Sequence, residues 1–313
     1  MIVSRVVFLG TPAVAVPVLR SLASDCAVEA VFCNPDKPQG RGRHLEAPPA
    51  MIAAEELGLA IHQPASWKAP ETRSLWESLQ VDLAIVVAYG HILPGWMLDS
   101  CPLGVWNLHF SILPRWRGAA PVNHAILAGD SETGVTLMGI TRGLDSGPVV
   151  AIRQRPIGLE DAAPGLLSAL AEDAARLLRE QLPQLLAGTV TAMPQEDALA
   201  TLAPKLDRAM AKLDCLKSAL AWHRQVRALQ PWPGVDFSLE GTVVKVCGVG
   251  GLQPSELAPG TLHWSKAGAW LTAGDGQALE LTFLQRPGKP VQAALQALQP
   301  WGAAGFRDVQ QPE

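Results

Sequence analysis

Hydrophobic residues follow two rhythms through the first 188 residues of the chain. Six short, nearly unbroken apolar runs read as strands: VVFLG (6–10), AVEAVFCN (27–34), LAIVVAYG (83–90), GVWNLHF (104–110), TGVTLMGIT (133–141) and PVVAIRQ (148–154). A strand covered on both faces shows such a run, whereas a half-exposed strand alternates. Between the runs, apolar positions recur at helical spacing over roughly 48–58, 69–80, 118–128 and 162–187. The AVAVPVLRSLA stretch after the first run predicts a further helix, capped by Thr11 with Pro12 at its first position. Strands alternating with helices predict an α/β, Rossmann-like, mostly parallel sheet with helices on both faces over residues 1–188.

The rhythm changes after residue 188. GTVTAMPQEDALATLAP mixes polar and turn-forming residues, so 189–205 reads as an extended linker. Residues 206–230 have helical spacing. Beyond PWPG (231–234), VDFSLE and TVVKVC flank Gly241, and AWLTA and ALELTFLQ flank the Gly-Asp-Gly at 274–276. Both pairs read as hairpins. Several short strands in a small C-terminal domain, 206–313, predict an OB-like β-barrel.

The 313 residues, 48% hydrophobic and 17% charged, suit two globular domains. No apolar run is long enough for a membrane span, and the N-terminal MIVSRVVFLG reads as a buried strand, so a cytoplasmic location is expected. The five cysteines (Cys26, Cys33, Cys101, Cys215, Cys247) form no CxxC pair, and the seven histidines are too dispersed for a metal site. Net charge is −4, yet residues 205–313 hold 11 Lys and Arg against 9 Asp and Glu. Six of those bases lie between Lys205 and Arg227, and a local basic face of this kind attracts phosphates. The turn after the first strand, GTPAVA, is not GxGxxG, and no Walker A motif occurs, so a Rossmann dinucleotide site and a P-loop are not supported.

The segment NLHFSILPRWRG (107–118) carries the densest chemistry. Residues i and i+2 of a strand share a face, so Asn107 and His109 stand side by side near the C-terminal end of theirs, where open α/β sheets place their sites. An amide and an imidazole together suit a carbonyl that becomes a tetrahedral oxyanion. The tight GLDSG turn (143–147) offers Asp145 as a carboxylate partner that fixes the tautomer of His109 and favours its cation. PDKPQGRGRHLEAPP (35–49), with Lys37, Arg41 and Arg43, reads as a functional loop too broken for regular structure. AYGHILP (88–94) follows a buried strand and suits a flat heterocycle bonded to main-chain groups. A turn Asp bonding its own loop, or an Asn–His pair satisfying a sheet edge, would explain parts of this pattern equally well.

Asn-x-His with SILP, RWRGAAPV, TGVTLM and GLDSG, together with the GTP turn, PDKPQGRGR, VVAYGHILP, PWPG, VKV (244–246) and LQRPGKP (284–290), closely resembles the folate-dependent formyltransferase superfamily. The GRGR loop and the PWP-containing C-terminal region narrow the resemblance to its tRNA-formylating branch, the methionyl-tRNA formyltransferases, along essentially the whole chain. The resemblance implies formyl transfer from 10-formyltetrahydrofolate, without metal, to the amino group of methionyl-initiator tRNA. It implies Asn107, His109 and Asp145 as catalytic residues. It implies folate contacts from Ser111, Ile112, Leu113 and Pro114 and from Ala88, Tyr89, His91, Ile92 and Leu93. Contacts to tRNA are implied for Lys37, Arg41, Arg43, Lys205 and Arg208, and a monomer is implied as the working unit. Phe110 in place of glycine, Ile112 of leucine, His91 of an apolar residue, Thr141-Arg142 of acidic residues and Cys215 of tryptophan depart from the pattern. Two alternatives stay open at this point: a sibling enzyme acting on a small amine or on the folate itself, and a non-catalytic RNA-binding protein.

Overall fold

The computed structural model describes residues 4–39 and 44–309. They fall into two compact units, one comprising Met1–Pro121, Glu132–Pro156 and Leu167–Ala203, the other Val122–Ser131, Ile157–Leu166 and Pro204–Glu313. Up to residue 62 the elements are β1 (Val6–Gly10), α1 (Val16–Asp25), β2 (Val28–Phe32), β3 (Lys37–Gln39), β4 (His44–Glu46), α2 (Pro49–Glu56) and β5 (Ile61–His62). Then come α3 (Pro70–Leu79), β6 (Leu83–Val87), α4 (Gly95–Leu98), β7 (Val105–His109), β8 (Arg117–Gly118) and α5 (Pro121–Ala128). They are followed by β9 (Glu132–Gly139), β10 (Val149–Pro156), α6 (Ala163–Ala187) and β11 (Leu202–Ala203).

The large sheet of the first unit runs β10-β9-β7-β6-β1-β2-β5. Strands β7, β6, β1, β2 and β5 are parallel; β9 runs against them, and β10, antiparallel to β9, returns to their direction. Each residue of β1 and of β6 is buried, as their unbroken apolar sequence requires. Because the parallel strands share a direction, the turns after β1, β2, β6 and β7 emerge along one edge of the sheet.

Two expectations for this unit are corrected. Thr11 does not cap a helix: α1 starts at Val16 after a short 3-10 turn, Ala13–Ala15, that lacks a side-chain cap. The Thr11 hydroxyl instead accepts from the Asn34 N–H at 3.2 Å and donates to the Tyr89 carbonyl at 3.4 Å, tying together the ends of β1, β2 and β6. The 35–49 stretch is not structureless: β3 and β4 pair antiparallel, Lys37 opposite Glu46 and Gln39 opposite His44. Main-chain pairing needs no apolar face, so a polar sequence hides it. Arg41 and Arg43 lie outside the described residues.

The second unit contains α7 (Ala219–Ala228), β12 (Val235–Leu239), β13 (Thr242–Pro254), β14 (Thr261–Ser265), β15 (Gly268–Thr272), β16 (Gln277–Gln285), β17 (Gln292–Ala293), α8 (Ala294–Leu298) and β18 (Gly305–Asp308). Its sheet, β12-β13-β16-β15-β14-β18, is antiparallel throughout. It curls into an open half-barrel around Trp222, Phe237, Leu262, Leu271 and Leu281. Arg307 of β18 reaches Glu240, in the β12–β13 turn, at 2.6 Å, so the two edges approach without pairing among the described residues. Both expected hairpins are present. The helical reading of 206–230 holds only for its ends, a 3-10 turn at Arg208–Ala211 and α7. Between them, side chains of α7 take up the carbonyls that a continuous helix would have used. Gln225 Nε2 donates to the Met210 and Lys212 carbonyls, and Trp222 Nε1 donates to that of Asp214. Ser218 then opens α7 by accepting from the Ala221 N–H.

Candidate active site

Strand β7 lies between β6 and β9, with Asn107 opposite Val86 on one side and Met138 on the other. His109 ends the strand, 6% exposed, and Asn107 is half-buried two places earlier on the same face. Among the described residues the Asn107 amide has no hydrogen-bond partner, so both its donors are uncommitted.

The chain after His109 folds back on the imidazole. The Ser111 hydroxyl donates to the Arg115 carbonyl at 2.6 Å. Thr136 of β9 donates to the Ser111 carbonyl and accepts from the Leu113 N–H. Trp116 sits in the left-handed region at φ +64, held by its N–H on Thr201 Oγ1 at 2.9 Å. That conformation aims the Trp116 carbonyl at His109 Nε2, 2.9 Å away. A carbonyl only accepts, so Nε2 carries a hydrogen and Nδ1 is the edge that faces the site.

The loop between β9 and β10 supplies the partner. It leaves β9 with the Ile140 N–H on the Val105 carbonyl and then turns back toward the end of β7. Asp145 also adopts a left-handed conformation, φ +45. Its Oδ2 accepts from the Gly118 N–H at 2.8 Å and lies 3.7 Å from His109 Nδ1. That separation suits ion pairing and exceeds a direct hydrogen bond. Gly147 is obligatory here, because a Cβ on it would stand 1.8 Å from the Gly139 carbonyl oxygen.

A family model described as formyl transferase matches residues 4–182, and one described as formyl transferase, C-terminal domain, matches residues 205–300. The chain is 43% identical over 305 residues to a methionyl-tRNA formyltransferase of Methylococcus capsulatus, covering 97% of this chain and 99% of the relative. The chain belongs to the formyl transferase family. A methionyl-tRNA formyltransferase of Stenotrophomonas maltophilia is 45% identical over 294 residues, covering 93% of this chain and 95% of the relative. Among solved structures, an N-formyltransferase from Helicobacter canadensis, in complex with folinic acid and dTDP-3-aminofucose, shares the fold. Its TM-score is 0.69 at 17% identity, covering 90% of this chain and 99% of that one.

In this formyl transferase the turn after β6 lies along the same sheet edge. Ala88 and Gly90 take positive φ, +47 and +83, and both are exposed. The N–H groups of Gly90, His91 and Ile92 bond to nothing among the described residues, and the Ile92 side chain is 95% exposed. Open peptide donors beside an apolar side chain fit a flat heterocycle such as a pterin. Tyr89 points the other way. Its ring is buried against Trp67, whose Nε1 donates to the phenol oxygen at 3.2 Å, and burial pushes the phenol pKa up, so it stays neutral. Leu93 is likewise buried, and His91 packs 5.1 Å from the Tyr89 ring. Of the SILP segment, Ser111 and Leu113 are buried, while Ile112 and Pro114 are half-buried. Lys37 is exposed on β3 opposite Glu46.

In the C-terminal unit, Lys205 is exposed. Arg208 is committed: its guanidinium meets Asp236 Oδ2 at 2.6 Å and the Pro233 carbonyl at 3.0 Å, neutralising a carboxylate whose side chain is 4% exposed. Burial raises Cys26, Cys33 and Cys101 to about 11, which keeps these thiols protonated near neutral pH. Among the described residues no group of His, Cys, Asp and Glu could hold a metal ion, and no helix is long and apolar enough to cross a membrane.

Sequence reasoning missed Gln195, Arg117 and Thr201. Each touches the loops that hold His109 or Asp145, yet Gln195 and Thr201 lie in a stretch that reads as a linker. No local pattern marks Gln195 or Thr201, and Arg117 stands within RWRGAAPV without a role of its own being legible there.

Proposed function

We propose that this chain transfers the formyl group of 10-formyltetrahydrofolate to the α-amino group of methionyl-initiator tRNA. The observation that carries the reading is the convergence of Asp145 Oδ2 and His109 Nδ1 to 3.7 Å beside the uncommitted amide of Asn107. It occurs in a chain similar over nearly its whole length to methionyl-tRNA formyltransferases. The amine nitrogen attacks the formyl carbon, and charge develops on the formyl oxygen. Asn107 and the Nδ1–H of His109 donate to that oxygen, while Asp145 holds the imidazole and accepts the proton the amine gives up. The bond from the formyl carbon to the folate nitrogen then breaks as the oxyanion collapses, that nitrogen takes the proton held by Asp145, and tetrahydrofolate leaves with the carboxylate restored.

The folate is seated by the peptide groups around Ala88, Gly90, His91 and Ile92, with Leu93 and the Ser111–Pro114 turn shaping the pocket wall. Tyr89 supports that wall from beneath, through its ring. Arg208 braces the buried Asp236, while Lys37, Arg41 and Arg43 of the 35–49 segment, with Lys205, contact the tRNA. Its polyanionic backbone needs cations on a chain of net charge −4. The reading places a monomeric enzyme in the cytoplasm, where translation starts.

The test is direct. Purified protein, 10-formyltetrahydrofolate and charged initiator tRNA should yield formylmethionyl-tRNA, and His109→Ala should lower kcat at least ~10²-fold. A protein that bound folate yet formylated a sugar nucleotide and no tRNA would overturn the substrate assignment. An undiminished His109→Ala variant would overturn the mechanism.

A further inference from the structure

Gln195 is half-buried in a stretch whose neighbours, Pro194 and Glu196, are exposed. Its Nε2 donates to the Asp145 carbonyl at 2.8 Å and to the Gly147 carbonyl at 2.7 Å. Its Oε1 accepts from Arg117 Nε at 3.0 Å. This fixes the orientation of the amide: turned over, it would set oxygen against two carbonyl oxygens and nitrogen against a guanidinium donor. Arg117 is itself 8% exposed and is secured by Asp197 Oδ1 at 2.8 Å on its Nη2. The stretch is anchored on both sides of Gln195. Met193 exchanges main-chain hydrogen bonds with Val149, at 2.7 and 2.8 Å, and β11 pairs with β8.

These contacts converge on a residue that needs them. A non-glycine residue at φ +45 is costly and persists only where its surroundings over-determine it. Asp145 is held at its carboxylate by the Gly118 N–H and at its carbonyl by Gln195. The Gly118 N–H belongs to β8, the strand that pairs with β11, so both holds rest on the same small sheet.

We propose that Gln195 is a positioning residue for formyl transfer. By tying the carbonyls on both sides of Ser146, it fixes the Asp145 carboxylate at its working distance from His109. The inference rests on the reading of Asp145 and His109 as the reacting pair. Gln195 touches no reacting atom and acts through Asp145 alone.

A double-mutant cycle on the full-length protein tests this. Gln195→Leu keeps the volume and removes the donors. Gln195→Glu keeps an acceptor for Arg117 and faces the two carbonyls with oxygen, so it separates loss of the donor from loss of the Arg117 contact. Both variants should lower kcat about tenfold or more, with KM for tRNA and for the formyl donor within about twofold of wild type. Binding of folinic acid, followed by tryptophan fluorescence, should be unchanged. In an Asp145→Asn background, adding Gln195→Leu should change kcat by less than about twofold, because the carboxylate it positions is gone.

Equal losses in both backgrounds, a rise in KM for tRNA at constant kcat, or a Gln195→Glu variant with wild-type kcat would each overturn the proposal. Failure of the underlying reading looks different: Asp145→Asn alone would then keep wild-type kcat.

Discussion

Asp145→Asn removes one charge and the ability to take up a proton, and little else. Asparagine is nearly isosteric, and its Oδ1 can still accept from the Gly118 N–H that now meets the carboxylate at 2.8 Å. What disappears is the group that takes the amine's proton and the attraction between that carboxylate and the His109 imidazolium that donates from Nδ1 to the formyl oxygen. At the observed 3.7 Å, two unit charges in an effective dielectric near 20 attract by about 4.5 kcal/mol. The Asp145 side chain is 21% exposed, and solvent screening reduces this to about 2–4 kcal/mol. At 1.36 kcal/mol per decade, kcat should fall about 30- to 10³-fold. Single-turnover formylation of methionyl-initiator tRNA at saturating formyl donor reads the chemical step, and equilibrium binding of folinic acid reads the pocket separately. Folate affinity should be preserved. A variant that formylates within about threefold of wild type would refute the claim that the carboxylate acts electrostatically on the imidazole. A variant that loses folate binding in parallel would show that Asp145 shapes the pocket instead.

Other perturbations have outcomes fixed by the geometry. Gly147→Ala would bring a methyl to 1.8 Å from a backbone oxygen, so the Asp145 loop must shift and kcat should drop about 10²-fold while folate binding persists; a kinetically silent variant would show the loop to be slack. Arg208→Ala strands the buried Asp236 and should cost about 2–3 kcal/mol in urea unfolding without tRNA present, because half of the pair is solvated. Lys205→Ala, exposed and without an ion pair among the described residues, should leave unfolding within about 0.5 kcal/mol and weaken tRNA binding; the opposite pattern would exchange their roles. His223 is held neutral by burial and by Arg227, whose Nε donates to its Nδ1 at 3.2 Å. With the folded-state pKa below the unfolded one, its stabilising contribution is complete above about pH 6.5 and is lost as pH falls below that. Thermal midpoints should therefore decline from pH 7 to 5, less steeply in His223→Gln, and equal slopes would disprove the assignment.

The chain announces its local structure openly. LAIVV reads as a doubly covered strand because nothing polar interrupts it, and β6 is buried throughout as that pattern requires, while β7 carries Asn107 and His109 within an otherwise apolar run and is buried only in part. The Gly-containing turns at 241 and 274–276 mark hairpins, since glycine readily supplies the backbone angles such turns need. The i, i+2 spacing of Asn107 and His109 puts both on one face of a strand without any knowledge of the rest. Other residues deceive for equally physical reasons. Thr11 has the sequence of a helix cap and spends its hydroxyl across three strand ends instead. Arg208 sits in a basic stretch and is bound to a buried aspartate. The Lys37–Gln39 and His44–Glu46 stretches look unstructured because a two-stranded ribbon draws its bonds from the main chain.

Periodicity, turn propensity and face alternation act over a few residues, so the sequence by itself determined the elements, the parallel sheet and the identity of the chemical groups. The 3.7 Å approach of Asp145 to His109, the Trp116 carbonyl that orients the imidazole, and the Gln195 amide that grips the Asp145 turn arise only when separate stretches close on one another. Those contacts depend on strand register and on two left-handed residues held from outside their own segments, and only the tertiary structure decided them.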